Sequence, residues 1–330
     1  MSSSPTAPAD LDRTDPAGAV AAAAARVSNW GRWGPDDVRG TMNFLGPEQR
    51  RAAAALVRTG ESFSLSQSFD MDGPQKGWRR RTNPVHTMLD TGTDAVAGVQ
   101  GFPHGIGGAD DVISMPLQCS TQWDGLGHIF DHGVAWNGRP ADQVVTSLGD
   151  GVTGIETVAD VVCGRGVLLD VGRAIGDDGE LPDGFAITEE HLRHTIEAQG
   201  PSSVVRRGDL VMVRTGRLAR ARREGWGEYA GGDSPGLSFT TADWLHGSEI
   251  AAVATDTWGF EVRPNEFDVA FQPLHQVAIP HIGLFLGEMW DLDALADACA
   301  ADGRWEVFLT AAPLRITGAV GSPVNPVAVR

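Results

Sequence analysis

The chain has 330 residues, 42% hydrophobic and 21% charged, with 26 basic against 43 acidic side chains and a formal charge of −17. That balance argues against a phosphate-backbone partner and against an anionic membrane surface, and no apolar run is long enough to span a bilayer. Three cysteines, Cys119, Cys163 and Cys299, are odd in number and form no CxxC pair. They predict reduced thiols in a cytoplasmic protein, with Cys119 as buried filler.

Residues 1–25 are rich in Pro, Ala and Ser, lack the basic and apolar regions of a signal peptide, and are expected to be a disordered tail with a short helix in its later part. Residues 26–330 show no repeat and no break in composition, so they read as a single domain. "PEQRRAAAALVRTG" (47–60) predicts a helix that starts at Pro47 and stops at Gly60. Residues 70–112, rich in Gly, Pro and Asp, read as a long loop region of functional type.

The apolar runs "GVLLDV" (166–171) and "GDLVMVRTG" (208–216) predict buried strands. Between them "TEEHLRHTIEAQG" (188–200) predicts a helix capped by Thr188. A short helix (240–247), a strand (250–257), a helix from Asp291 to Gly303 and a late strand (306–316) follow. The mixture without strict alternation predicts α/β or α+β with a mixed sheet.

Chemistry concentrates at "QCSTQWDGLGHIFDHG" (118–133). As an extended strand, Gln118, Ser120, Gln122 and Asp124 share one face, while Cys119, Thr121 and Trp123 point to packing. Gly125 and Gly127 bend the chain before His128, and Asp131 and His132 follow. A solvated strand edge would explain the polarity alone, but titratable groups, glycine and tryptophan this dense point to a site.

These residues resemble the cyclase family, which includes kynurenine formamidase and isatin hydrolase. The family motif H-x-G-T-H-x-D-x-x-x-H aligns with Gln118 to His128: the threonine, Asp124 and His128 match, two glutamines replace histidines, and Ser120 replaces glycine. "GVLLDVGRA", "GDLVMVRTG", "SPGLSFTTADWL", "ATDTWG", "HQVAIPHIGLFLGEMWDLDAL" and "GSPVNPVAV" fall in the family's order, and "NWGRWGPDDVRGTMNFL" resembles the start of a longer branch.

The resemblance implies an α/β, swivelling β/β/α-like fold with a mixed central sheet or barrel and surrounding helices, a dimer or tetramer, and an arylformamidase-like hydrolase of amides, formamides or cyclic amides in a small metabolite. It implies His128 as general acid/base, with Asp124, His275 and Glu288 at the catalytic centre. Gln118, Gln122, Trp123 and His132 are then expected at the substrate. The implied zinc or manganese would rest on Asp124, His275 and Glu288, with Gln118 and Gln122 at the two lost histidine positions. Glutamine oxygen is a weaker ligand than imidazole, so one weakly held manganese, zinc or magnesium ion and a metal-free site both stay open. A metal-independent cyclase or dehydratase of secondary metabolism is the alternative, and a non-catalytic metabolite-binding relative the third reading.

Other residues have two readings each. Asp131 and His132 either orient His128 or are loop polarity. His104 belongs to a lid or is an exposed loop residue, and His281 rivals His275. Asp256 is expected to support a loop through backbone N–H groups. Trp123, Trp136 and Trp258 are aromatic wall or core. The arginines of "RLARARREG" (217–225) form a solvated helix face or an anion grip.

Overall fold

The computed structural model describes residues 11–330. Nine strands form one mixed sheet that curls into a half-barrel: β1 (Ser62–Ser64), β2 (Gln122–Asp124), β3 (Cys163–Asp170), β4 (Leu210–Arg214), β5 (Ala252–Thr255), β6 (Phe285–Glu288), β7 (Glu306–Thr310), β8 (Gly321–Pro323) and β9 (Val327–Val329). Their order is β1-β9-β7-β3-β4-β5-β6-β2-β8. The β3-β4-β5-β6 centre is parallel and the flanks are antiparallel.

The central strands read as unbroken apolar runs because both faces are covered. Leu168, Leu210 and Met212 pack into one core cluster, whereas Val167, Leu169, Val211 and Val213 pack into a second one. Alternation therefore separates two buried faces instead of a wet face and a dry one.

Helices α1 (Pro16–Val27), α2 (Pro47–Ala54), α3 (Glu189–Gln199), α4 (Arg217–Glu224), α5 (Ala242–Gly247), α6 (Pro273–Val277) and α7 (Asp293–Asp302) surround the sheet. The α1 helix corrects the expected disordered tail from residue 16 onward; residues 1–10 lie outside the described part. Asp15 accepts the Gly18 N–H at 2.9 Å, Pro16 opens the first turn, and Val20, Ala23 and Val27 are buried. The short helix expected late in this segment is thus twelve residues long and begins at Pro16; an alanine-rich run carries helix propensity, but its low amphipathic contrast did not mark the start.

Other boundaries differ too: the helix from Pro47 ends at Ala54, short of Gly60, and the late strand ends at Thr310. The long loop of 70–112 contains a hairpin, Val85–Asp90 paired with Asp110–Ser114, with both strands largely exposed. Asp291 does not cap α7; it pairs with Arg222. The expected strand from Gln118 is regular only over Gln122–Asp124. Upstream, groups that would build a ladder bond elsewhere: Gln75 Nε2 donates to Cys119 O at 2.7 Å, and Thr121 Oγ1 donates to Met289 O at 2.6 Å.

Candidate active site

Strands β2 and β6 pair antiparallel, with Gln122 opposite Glu288 and Trp123 opposite Gly287. Gln122, Asp124 and Glu288 therefore share one face, and Trp123 occupies the other. The Gln122 amide Nε2 donates to Glu288 Oε2 at 2.9 Å and to Asp124 Oδ1 at 3.2 Å. His275, on α6, completes the buried cluster. Its Nε2 lies 3.3 Å from Glu288 Oε1, and its Nδ1–H donates to Glu261 Oε1 at 2.5 Å.

His128 reaches the cluster through a tight turn. Its N–H donates to Gly125 O at 3.1 Å, and a Cβ on Gly127 would overlap the Asp150 carboxylate. This places His128 Nε2 at 3.7 Å from Asp124 Oδ1. The i,i+4 spacing thus arises from a glycine turn and not from a helix.

The charge states follow from burial and neighbours. Burial pushes the His128 imidazole below its ordinary pKa, with the Asp124 charge opposing. Burial also works against protonation of His275, but hydrogen bonds and charge from Glu261 and Glu288 prevail and raise it to about 10. Burial and the Asp124 charge raise Glu288 to about 7, with His275 opposing. At neutral pH a neutral imidazole thus stands near an imidazolium held between two carboxyl groups.

Several expected site residues are elsewhere. Trp123, expected at the substrate, packs in the core: it is 1% exposed, stacks edge-on against Trp290 at 4.8 Å and donates Nε1–H to Ala311 O at 2.8 Å. Gly287 opposite it is required, since a Cβ there would crowd the Trp123 ring and overlap Ala254. Trp136 is core as well and donates to Asp37 Oδ2 at 3.0 Å.

His132 is exposed, with its Nε2 at 3.7 Å from Asp131 Oδ1, and does not join the cluster. Asp131 bonds His281 Nε2 at 2.8 Å and Gln276 Nε2 at 2.6 Å instead of orienting His128. His281 therefore serves a separate latch, stacked on Trp30 at 4.9 Å. Gln118 lies in a turn and not on the strand, yet its buried Nε2, without a partner, stays beside Gly321, the residue paired with Asp124 across strands. His104 is exposed in the connection between the hairpin strands.

Asp256 holds the backbone N–H groups of Thr215 and Gly216, both at 2.8 Å, as a loop support. The arginines of α4 are ion-paired, Arg217 and Arg220 with Asp183, Arg222 with Asp291 and Arg223 with Glu180, so they form no free anion grip. Sequence reasoning missed Glu261 and Gln272, whose Nε2 lies 3.5 Å from His275 Nε2. Neither carries a local motif; only the need of a buried histidine for a partner points to Glu261.

The metal implied by the resemblance can be tested against the donor set. Ligand atoms of Asp124, His275 and Glu288 lie within 4.8 Å of one another. Yet the group turned toward both carboxylates is the Gln122 amide nitrogen, a donor, while its oxygen is buried without a partner. As arranged, these side chains do not fit a resident zinc-like ion; the amide and the imidazolium answer the carboxylates instead. Restoring an imidazole with Gln122→His is expected to create a site: manganese or zinc should raise the melting temperature of the variant by several degrees and leave the parent unchanged. A parent that responds to the metal as strongly as the variant would overturn this assignment.

Residues 63–262 match the family model described as putative cyclase. A crystal structure described as a novel cyclase is 40% identical, covers 92% of this chain and 100% of its own, and superposes with a TM-score of 0.84. Isatin hydrolase A from Labrenzia aggregata, solved with benzyl benzoate, is 18% identical over 84% of this chain and 94% of its own, with a TM-score of 0.57. Isatin hydrolase A from Ralstonia solanacearum is 17% identical at the same coverages, with a TM-score of 0.58. The two isatin hydrolases show a shared fold. No match is found among curated proteins.

Proposed function

Because the chain belongs to the cyclase family, we propose that it is a hydrolase-type enzyme that opens the C–N bond of an amide, formamide or cyclic amide in a small metabolite. The observation that carries this reading is the His128–Asp124 pair at 3.7 Å, a neutral imidazole beside a buried carboxylate at the edge of a charged cluster. Water attacks the carbonyl carbon and passes a proton to His128 Nε2, and the resulting imidazolium is stabilised by Asp124. Collapse of the tetrahedral adduct breaks the C–N bond, and His128 returns the proton to the leaving nitrogen.

Developing negative charge on the carbonyl oxygen is met by the His275 imidazolium and by amide donors. Both N–H groups of Gln122 are taken by Asp124 and Glu288, so this task falls to Gln118 Nε2, which is buried and has no partner. The Gln122 bridge also supports a second reading on the same residues, a metal-independent cyclase or dehydratase.

Incubation with aryl formamides and aryl lactams separates the two readings, since hydrolysis of a lactam adds one water to its mass and hydrolysis of a formamide releases formate, whereas cyclisation or dehydration does neither. A base that must be neutral places the acid limb of kcat/KM at the His128 pKa. Burial holds that value below the ordinary 6.5, so activity should be level around pH 7 and fall only below pH 6.5. A limb centred above pH 7 would assign control to Glu288 and remove His128 from this role.

A further inference from the structure

A second set of groups stands beside the cluster and has no place in the chemistry above. Arg81 lies over the Trp258 ring at 5.6 Å, and Arg263 lies over the same ring at 5.9 Å and over Phe271 at 6.0 Å. Trp78 joins them, edge-on to Trp258 at 5.1 Å and tilted against Phe271 at 5.5 Å.

Two links tie this belt to the catalytic residues. Trp258 Nε1 donates to Gln75 Oε1 at 3.3 Å, and Gln75 holds Cys119 O, three residues before Gln122. Phe271 precedes Gln272, whose amide lies 3.5 Å from His275 Nε2. The positive charge of Arg81 bears on both His128 and Glu288, and that of Arg79 on His128.

Three features set these arginines apart. In a chain of charge −17, where the α4 arginines are all ion-paired, Arg79, Arg81 and Arg263 have no carboxylate partner among the described residues. Arg263 Nη1 is buried with no partner at all. Arg79 and Arg80 hold consecutive left-handed conformations, φ 48° and 64°, which non-glycine residues adopt rarely and keep only where surrounding structure imposes them. Meanwhile Trp78 and Phe271 leave ring surface open to solvent, 36% and 48% exposed. Exposed rings beside unpaired guanidinium groups suit a flat ligand with an anionic end.

We infer that Arg79, Arg81 and Arg263, set among Trp78, Trp258 and Phe271, recognise a carboxylate carried by an aromatic substrate. This deepens the proposed function by naming a substrate class, and it rests on that reading only for the identity of the bond broken. A guanidinium fork binds a carboxylate by two parallel N–H···O bonds, and the rings hold the aromatic body while its amide faces His128.

Benzoate and benzamide, alike in shape and different in charge, test the proposal by calorimetric titration of the full chain. Benzoate should bind on the order of tenfold tighter or more at low ionic strength. Arg81→Gln and Arg79→Gln should remove that preference without changing the circular dichroism spectrum or the melting temperature. Arg81→Lys should restore part of it, because charge returns without the fork. Equal affinity, no measurable binding of either probe, or a preference that survives in both glutamine variants would overturn the inference. The titration does not depend on turnover. If aryl formamides and lactams are not hydrolysed while the benzoate preference holds, the proposed reaction fails and the anion site stands.

Discussion

His128→Ala is expected to lower turnover by about a thousandfold, the range typical of a lost general acid/base, while the fold persists. In the proposed reaction the imidazole serves both halves, accepting the proton of water and delivering it to nitrogen, so its removal would disable both. The structural consequences are small. His128 is only partly buried, it pairs with Asp124 at 3.7 Å, and Asp124 keeps its bond from Gln122. The change in unfolding free energy should remain below about 1 kcal/mol. Steady-state rates and urea unfolding on the same preparation check both halves. Undiminished turnover would remove His128 from the mechanism, and a collapse of stability would make any lost activity uninformative.

The opposite pattern is expected one strand position from the catalytic face. Trp123→Ala should cost about 4 kcal/mol in unfolding free energy, the usual range for deleting a buried tryptophan. The indole is 1% exposed, sits at 4.8 Å from Trp290 and fills the space left by Gly287. Relaxation cannot fill the void readily, because Gly287 has no side chain to offer and lies in the central sheet. The Ala311 carbonyl would also lose its donor. Urea unfolding measures the loss. A stable variant with a raised KM would instead restore Trp123 to the substrate wall.

These two neighbouring regions show what was legible in the sequence. Strand alternation put Asp124 and Gln122 on one face and Trp123 on the other. The wall role given to Trp123 ignored that alternation, and the cross-strand partner Gly287 shows why the packing face had to win. The ladder drawn through Gln118 and Ser120 was too regular. Periodicity registers alternation in the chain, but not that Cys119 O and Thr121 Oγ1 are claimed by Gln75 and Met289. Glu261, Gln272 and Arg81 come from separate segments without a motif, so nothing local marked them.

By itself the sequence determined the local terms: apolar runs long enough for strands covered on both faces, a glycine turn that must deliver His128 beside Asp124, and two glutamines where the family carries histidines. The tertiary structure decided everything that depends on pairs far apart in the chain. Strand pairing of β2 with β6 brings Gln122 to Glu288 across 166 positions, and only that contact makes an amide nitrogen the group that bridges two carboxyls. The same assembly selects His275 over His281, since Glu261 and Glu288 face the first and Asp131 captures the second. Charge state follows the same rule. A histidine's proton is set by burial and by the carboxylates around it, and those neighbours come together only when the chain folds.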